Sequence, residues 1–76
     1  MNDSRSLNDL SAGESATVKE ILSRGSLRRR FLDIGLVEDT VVTCVGESPL
    51  GDPAAFEIRG AVIAIRRSDC KDIKVK

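Results

Sequence analysis

The stretch Phe56-Glu57-Ile58-Arg59-Gly60-Ala61-Val62-Ile63-Ala64-Ile65 most limits what this chain can become. Phe56 and Ile58 alternate with Glu57 and Arg59, and Ala61, Ile63 and Ile65 alternate with Val62 and Ala64. Period two belongs to strands, and a short break at Arg59-Gly60 belongs to a tight turn. The stretch therefore predicts a β-hairpin, which needs further strands to cover its apolar face. Residues 14–21 offer one, with Ala16 and Val18 on one face. Ile21-Leu22 breaks the alternation and predicts a bulge or bend. Residues 40–45 are β-branched and apolar on both faces, as in a central strand. Ile73 and Val75 bracket Lys74 in a last short strand.

One helix interrupts the strands. Ser23-Arg24-Gly25 reads as a turn, and Ser26 is placed to cap a helix after it. Leu27, Phe31 and Ile34 fall at i, i+4 and i+7, a single apolar stripe. Arg28, Arg29 and Arg30 lie largely off it, with Arg29 four residues from Asp33 and able to pair weakly. Gly35 fits the left-handed residue that stops a helix. Two turns of helix do not stand without packing. Residues 7–13 read as an ordered lead-in ending in a turn. Residues 46–53 read as a loop by their glycines and prolines. Ser68 can cap a single turn through Asp69, Cys70 and Lys71.

Five short strands in so short a chain must curl to cover their edges. The expected class is all-β: a partly open, five-stranded antiparallel barrel with one short α-helix between its first two strands. Its expected core is Val18, Ile21, Leu27, Phe31, Ile34, Leu36, Val42, Phe56, Ile58, Ile63, Ile65, Ile73 and Val75. Residues 1–6 are expected to be a flexible N-terminus and residues 7–76 one domain. A chain of 76 residues buries only ~60% of its unfolded surface.

Composition excludes several functions. Twelve basic residues balance twelve acidic ones, which argues against broad electrostatic capture of nucleic acid or anionic membrane. There is no histidine, tryptophan or tyrosine, and Phe31 and Phe56 are the two aromatic residues. A Ser-His-Asp triad or a Cys/His zinc cage cannot be built from this chain. No catalytic residue, cofactor or dedicated metal site is expected. Cys44 and Cys70 are too few for a structural zinc site. The start, Met1-Asn2-Asp3-Ser4-Arg5, lacks the apolar core of a secretory signal, so the chain is expected to be cytoplasmic with both thiols reduced. Cys44, in an apolar run, reads as a small core residue. Nothing beside Cys70 in sequence marks it as reactive.

Three stretches carry a family resemblance. They are Leu27-Arg28-Arg29-Arg30-Phe31-Leu32-Asp33-Ile34-Gly35-Leu36, Ser48-Pro49-Leu50-Gly51-Asp52-Pro53 and Gly60-Ala61-Val62-Ile63-Ala64-Ile65-Arg66. Together, from about Leu10 to Val75, the chain resembles the small FeoA proteins of bacterial ferrous-iron transport. The resemblance implies an SH3-like barrel that is cytosolic and non-catalytic. It implies a role on the cytoplasmic part of a membrane ferrous-iron transporter that carries a GTPase domain. The same fold is similar to the C-terminal domain of metal-dependent repressors. Two positions depart from the family: its usual Pro-Gly after the helix is Glu38-Asp39 here, and its more frequent alanine is Cys70. Scattered carboxylates such as Asp33, Glu38, Asp39 and Asp52 can hold Fe²⁺ or Zn²⁺ only weakly, since a dedicated site needs converging ligands.

Two surface features remain as candidate partner contacts. Arg28, Arg29 and Arg30 are either a solvated helix face or a contact for an acidic partner. Pro49, Leu50, Gly51, Asp52 and Pro53 form either a stiff register-setting turn or a binding loop on a rigid scaffold. Recognition of proline ligands in the usual SH3 manner needs an aromatic-lined groove, and this chain lacks the aromatics. A protein-interaction module regulating an iron transporter is thus favoured over a small-barrel nucleic-acid module or a metal-responsive regulatory domain. No nucleic acid is expected as a partner, because stacking platforms are nearly absent.

Overall fold

The hairpin forms where alternation places it. Arg59 and Gly60 adopt φ of 51° and 87°, the paired left-handed conformation of a type I′ turn. It joins β3 (Ala54–Ile58) to β4 (Ala61–Ile65), with Phe56 opposite Ile63. The computed structural model describes residues 5–76. Before the hairpin come a 3-10 turn (Leu7–Asp9), β1 (Ser15–Ile21), α1 (Gly25–Asp33) and β2 (Val41–Glu47). After it come a single helical turn, α2 (Arg67–Cys70), and β5 (Ile73–Val75).

All pairings are antiparallel, in the order β4-β3-β2-β1-β5, so the sheet is not closed. β2 is the middle strand, as its composition predicts. Its outer face still carries Val41 and Val45 to the surface, while Val42 and Cys44 point inward. β3 buries Ala54, Phe56 and Ile58, every second residue. β1 buries Val18 and Ile21, three residues apart. A regular strand cannot do that, and the β1–β5 register shifts between Val18 and Glu20. The strand is therefore broken as expected, but between Val18 and Glu20 rather than at Ile21-Leu22.

Helix α1 lays Phe31 on this interior and is fastened at both ends. Arg28 Nη1 donates to the carbonyl of Ile21 at 2.8 Å, tying the helix to the end of β1. At the other end Gly35 sits at φ 92°, where a Cβ would stand 2.5 Å from Arg59 Cδ. Arg59 Nε donates to the Gly35 carbonyl at 3.2 Å. Gly35 thus stops the helix as expected and also admits the hairpin's Arg59.

Several local expectations are corrected. Ile34 is 36% exposed rather than core. The helix ends at Asp33, and Ile34, outside it at φ −89° and ψ 2°, no longer follows the stripe. Leu36 is buried as expected, while Leu27 and Ile63 are only half-buried against the core. Neither Ser26 nor Ser68 caps a helix: the N-cap positions are Arg24 and Arg66, without side-chain cap bonds. An Arg29–Asp33 pair is not among the ion pairs of the described residues, which are Arg67–Glu47 and Lys76–Asp39. Cys44 is in the core as its apolar run predicts, and the core also takes in Leu7, Leu10, Ala54 and Cys70.

The expected loose start divides in two. Residues 1–4 lie outside the described residues. Arg5 and Ser6 are engaged: Val75 N donates to the Arg5 carbonyl at 3.0 Å, and Ser6 bridges Lys74. Ser6 also caps the 3-10 turn reciprocally with Asp9, which drops Leu7 into the interior. Asp39 stands at φ 70°, in the left-handed region that a glycine would occupy freely. Asp tolerates that region better than most residues.

Substitutions at the helix and at this turn test the fold. Phe31→Ala should cost ~3–5 kcal/mol, read as a lower denaturation midpoint; an unchanged midpoint would show that Phe31 does not anchor the helix. Asp39→Val should cost about 1–2 kcal/mol, while Asp39→Gly should stay within about 0.5 kcal/mol of the parent, since the exposed pair with Lys76 contributes little. Equal stability of the two variants would deny any strain at this turn.

Candidate docking surface

The loop between β2 and β3 is closed by its own bonds. Ser48 N donates to the Pro53 carbonyl at 3.0 Å, Ser48 Oγ to the Asp52 carbonyl at 2.7 Å, and Gly51 N to the Ser48 carbonyl at 2.8 Å. Pro49 and Leu50 form the tip, and Gly51 turns the chain at φ 85°. Leu50 is left 93% exposed, far more than any other large apolar side chain among the described residues. An apolar side chain held out on an ordered loop is suited to insertion into a partner.

Sequence reading missed the residue that holds this loop. Arg67, on the first position of α2, donates from Nε to the Gly51 carbonyl at 2.9 Å. Its backbone N donates to Asp52 Oδ1 at 3.0 Å, and Nη1 to the Asn8 carbonyl at 3.4 Å. Nη2 pairs with Glu47. One guanidinium thus joins the loop, the end of β2 and the N-terminal turn. Asn8 and Gly51 lie too far from Arg67 along the chain for any local pattern to have announced these contacts.

The three helix arginines do not form one patch. Successive helical residues are turned by about 100°, and the grooves record it. Arg28 faces Glu20, Ile21, Glu38 and Asp39. Arg29 shares a second groove with Arg28, beside Gly25 and Asp33. Arg30 lines a separate groove with Ile63, Arg66 and Asp69. Arg28 thus also looks onto the carboxylates beside β1.

The carboxylates singled out as weak metal contacts do not converge. Asp52 Oδ1 receives Arg67 N, Asp39 Oδ1 receives Lys76 Nζ at 2.6 Å, and Asp33 sits in a different groove from Glu38 and Asp39. Among the described residues no group of three or more His, Cys, Asp or Glu side chains could hold a metal ion. Among the same residues no helix is long and apolar enough to cross a membrane.

The family model of the FeoA domain matches residues 5–76. The chain belongs to the FeoA family. It is 33% identical over 70 residues to an Fe(2+) transport protein A/Fe(2+) transporter FeoB fusion protein of Porphyromonas gingivalis, covering 92% of this chain but 8% of that protein. The solution structure of a FeoA protein from Chlorobium tepidum superposes with a TM-score of 0.89 at 32% identity, over 93% of this chain and 68% of that one. The crystal structure of Stenotrophomonas maltophilia FeoA complexed with zinc, described as a prokaryotic SH3 domain protein, gives 0.83 at 25% identity, over 95% and 89% of the two chains. This FeoA chain therefore has an SH3-like fold and belongs to a family associated with ferrous-iron transport.

Both cysteines are free and buried. Cys70 is fully enclosed, and its Sγ donates to the Ile65 carbonyl at 3.7 Å. Burial pushes its thiol up from 9.0 to about 11, against the opposing pull of the Arg67 charge. The folded state therefore keeps the proton longer than the unfolded one does. The resulting stabilisation is full below pH 9 and lost as pH rises toward 11. The melting temperature of the parent should fall more steeply across that window than that of Cys70→Ala. Identical slopes would show that the thiol is not buried in its protonated form.

Proposed function

We propose that this FeoA chain is a non-catalytic cytoplasmic accessory of bacterial ferrous-iron uptake that docks on the cytoplasmic, GTPase-containing part of the transporter. The observation that carries the reading is Leu50, nearly fully exposed on a loop held by Arg67. Pre-ordering removes much of the entropy that docking a free loop would cost. Pro49, Gly51, Asp52 and Pro53 hold the anchor out, and Arg28 and Arg29, which share one groove, offer a second, charged contact for an acidic surface. The partner is supported by the relative in which the two proteins form one chain. Joining two modules raises their effective concentration for each other, which is useful when they bind.

Titration of the transporter's soluble cytoplasmic domain tests this. Leu50→Asp should weaken binding by ~1–3 kcal/mol through lost burial and a charge forced into the contact. Its melting temperature should stay near the parent's, because surface-loop changes stay within ~0.5 kcal/mol. Arg29→Glu should weaken binding more at low salt than at high salt. Unchanged affinity for Leu50→Asp would overturn the assignment of this loop.

A further inference from the structure

The two edges of the sheet are finished differently. The outer side of β5 is covered: Ser6 bridges Lys74, and Val75 N reaches the Arg5 carbonyl. The outer side of β4 is bare. Ile58 and Ala61 close a two-residue hairpin, which makes them a bonded pair. By alternation Ala61, Ile63 and Ile65 turn their N–H and C=O toward β3, and Val62 and Ala64 turn theirs away. Among the described residues no backbone bond from outside the hairpin reaches Val62 or Ala64.

Natural proteins blunt exposed edges with bulges, prolines or inward charges. β4 has none of these. Its register with β3 runs unbroken, whereas the β2–β3 and β1–β5 ladders each contain an irregularity. Its residues are Ala-Val-Ile-Ala-Ile, and Val62 is 65% exposed. Beside its inner face runs a groove toward α1, lined by Leu27, Ile34 and Ile63 and bordered by Arg30, Arg66 and Asp69. Arg59 stands at the turn end of the strand. Glu57 pairs with Val62 and shares its solvent-facing side, away from the groove. The strand's free side is thus apolar in the middle and mainly positive around its ends.

We propose that β4 accepts an extended segment of a partner protein as an additional strand, one with apolar residues at alternate positions and acidic residues at its ends. Main-chain bonds to Val62 and Ala64 supply the attachment, and alternate side chains enter the groove, as in strand addition generally. Charge complementarity selects the acidic ends. It also disfavours a second copy of this chain: antiparallel pairing about Ile63 would set Arg59 against Arg67 of the other copy. This edge is independent of the Leu50 loop, and either contact can exist without the other.

The probe is a short blocked peptide of alternating valine and threonine with two glutamates at each end, titrated into isotope-labelled full-length protein. The Val62 and Ala64 amides should shift and their hydrogen exchange should slow, while the loop at Leu50 stays unperturbed. Ala64→Pro removes an outward donor at a position where an edge strand tolerates proline. That variant should keep its melting temperature within a few degrees and lose the response. Arg30→Glu with Arg66→Glu should weaken binding about tenfold at low salt and transfer the preference to a lysine-ended peptide. Absence of any β4 shift in the parent would overturn the proposal, as would equal binding of both peptides. So would concentration-dependent dimerisation abolished by Ala64→Pro, which would make the occupant a second copy. A Leu50→Asp control that still binds the peptide separates this outcome from the fate of the loop.

Discussion

A single apolar interior, to which every strand contributes, sets the terms for this protein. Val18 and Ile21 come from β1, Val42 and Cys44 from β2, Phe56 and Ile58 from β3, Ile65 from β4, and Ile73 and Val75 from β5. In so small a domain the fraction of surface withdrawn from water is low, and no strand can keep its inner face for another purpose. Even the backbone bends to serve it, since the β1 irregularity brings two inward residues where alternation alone allows one. Buried groups that could do chemistry are drawn in as packing; Cys70 is enclosed as a neutral thiol. Function is thereby left to loops and edges.

Much of this was legible because it is local. Period two over residues 56–65, the Arg59-Gly60 turn, the Gly35 stop and the 27/31 spacing each specify their element from neighbours a few residues away. Reading failed where distance along the chain was large or an element ended early. Ile34 obeys helical spacing, but the helix stops one residue before it. Leu7 and Leu10 enter the core only because Ser6 and Asp9 cap a tight turn against β5. Residues expected to be loose therefore finish one side of the sheet.

The candidate contacts divide along the same line. A proline-flanked Leu50 is visible in the sequence as an apolar residue in a loop. The clamp that orders it is not, because Arg67 gathers Asn8 and the 47–51 stretch from two distant parts of the chain. The arginine run is one feature along the chain but not in space: Arg28 and Arg29 share a groove, and Arg30 lines another. Contiguity in sequence is not contiguity on a helix surface.

The bridge between Ser6 and Lys74 brings the chain's entry and exit side by side at one strand, with Arg5 and Val75 hydrogen-bonded to each other. A domain whose two ends leave from neighbouring points can be spliced into or onto a longer polypeptide without stretching its interior. Its curved sheet then behaves as a plug-in part, attachable through a short tether on either side. The occurrence of a similar segment within a transporter more than ten times its length, of which it makes up 8%, is what such geometry permits.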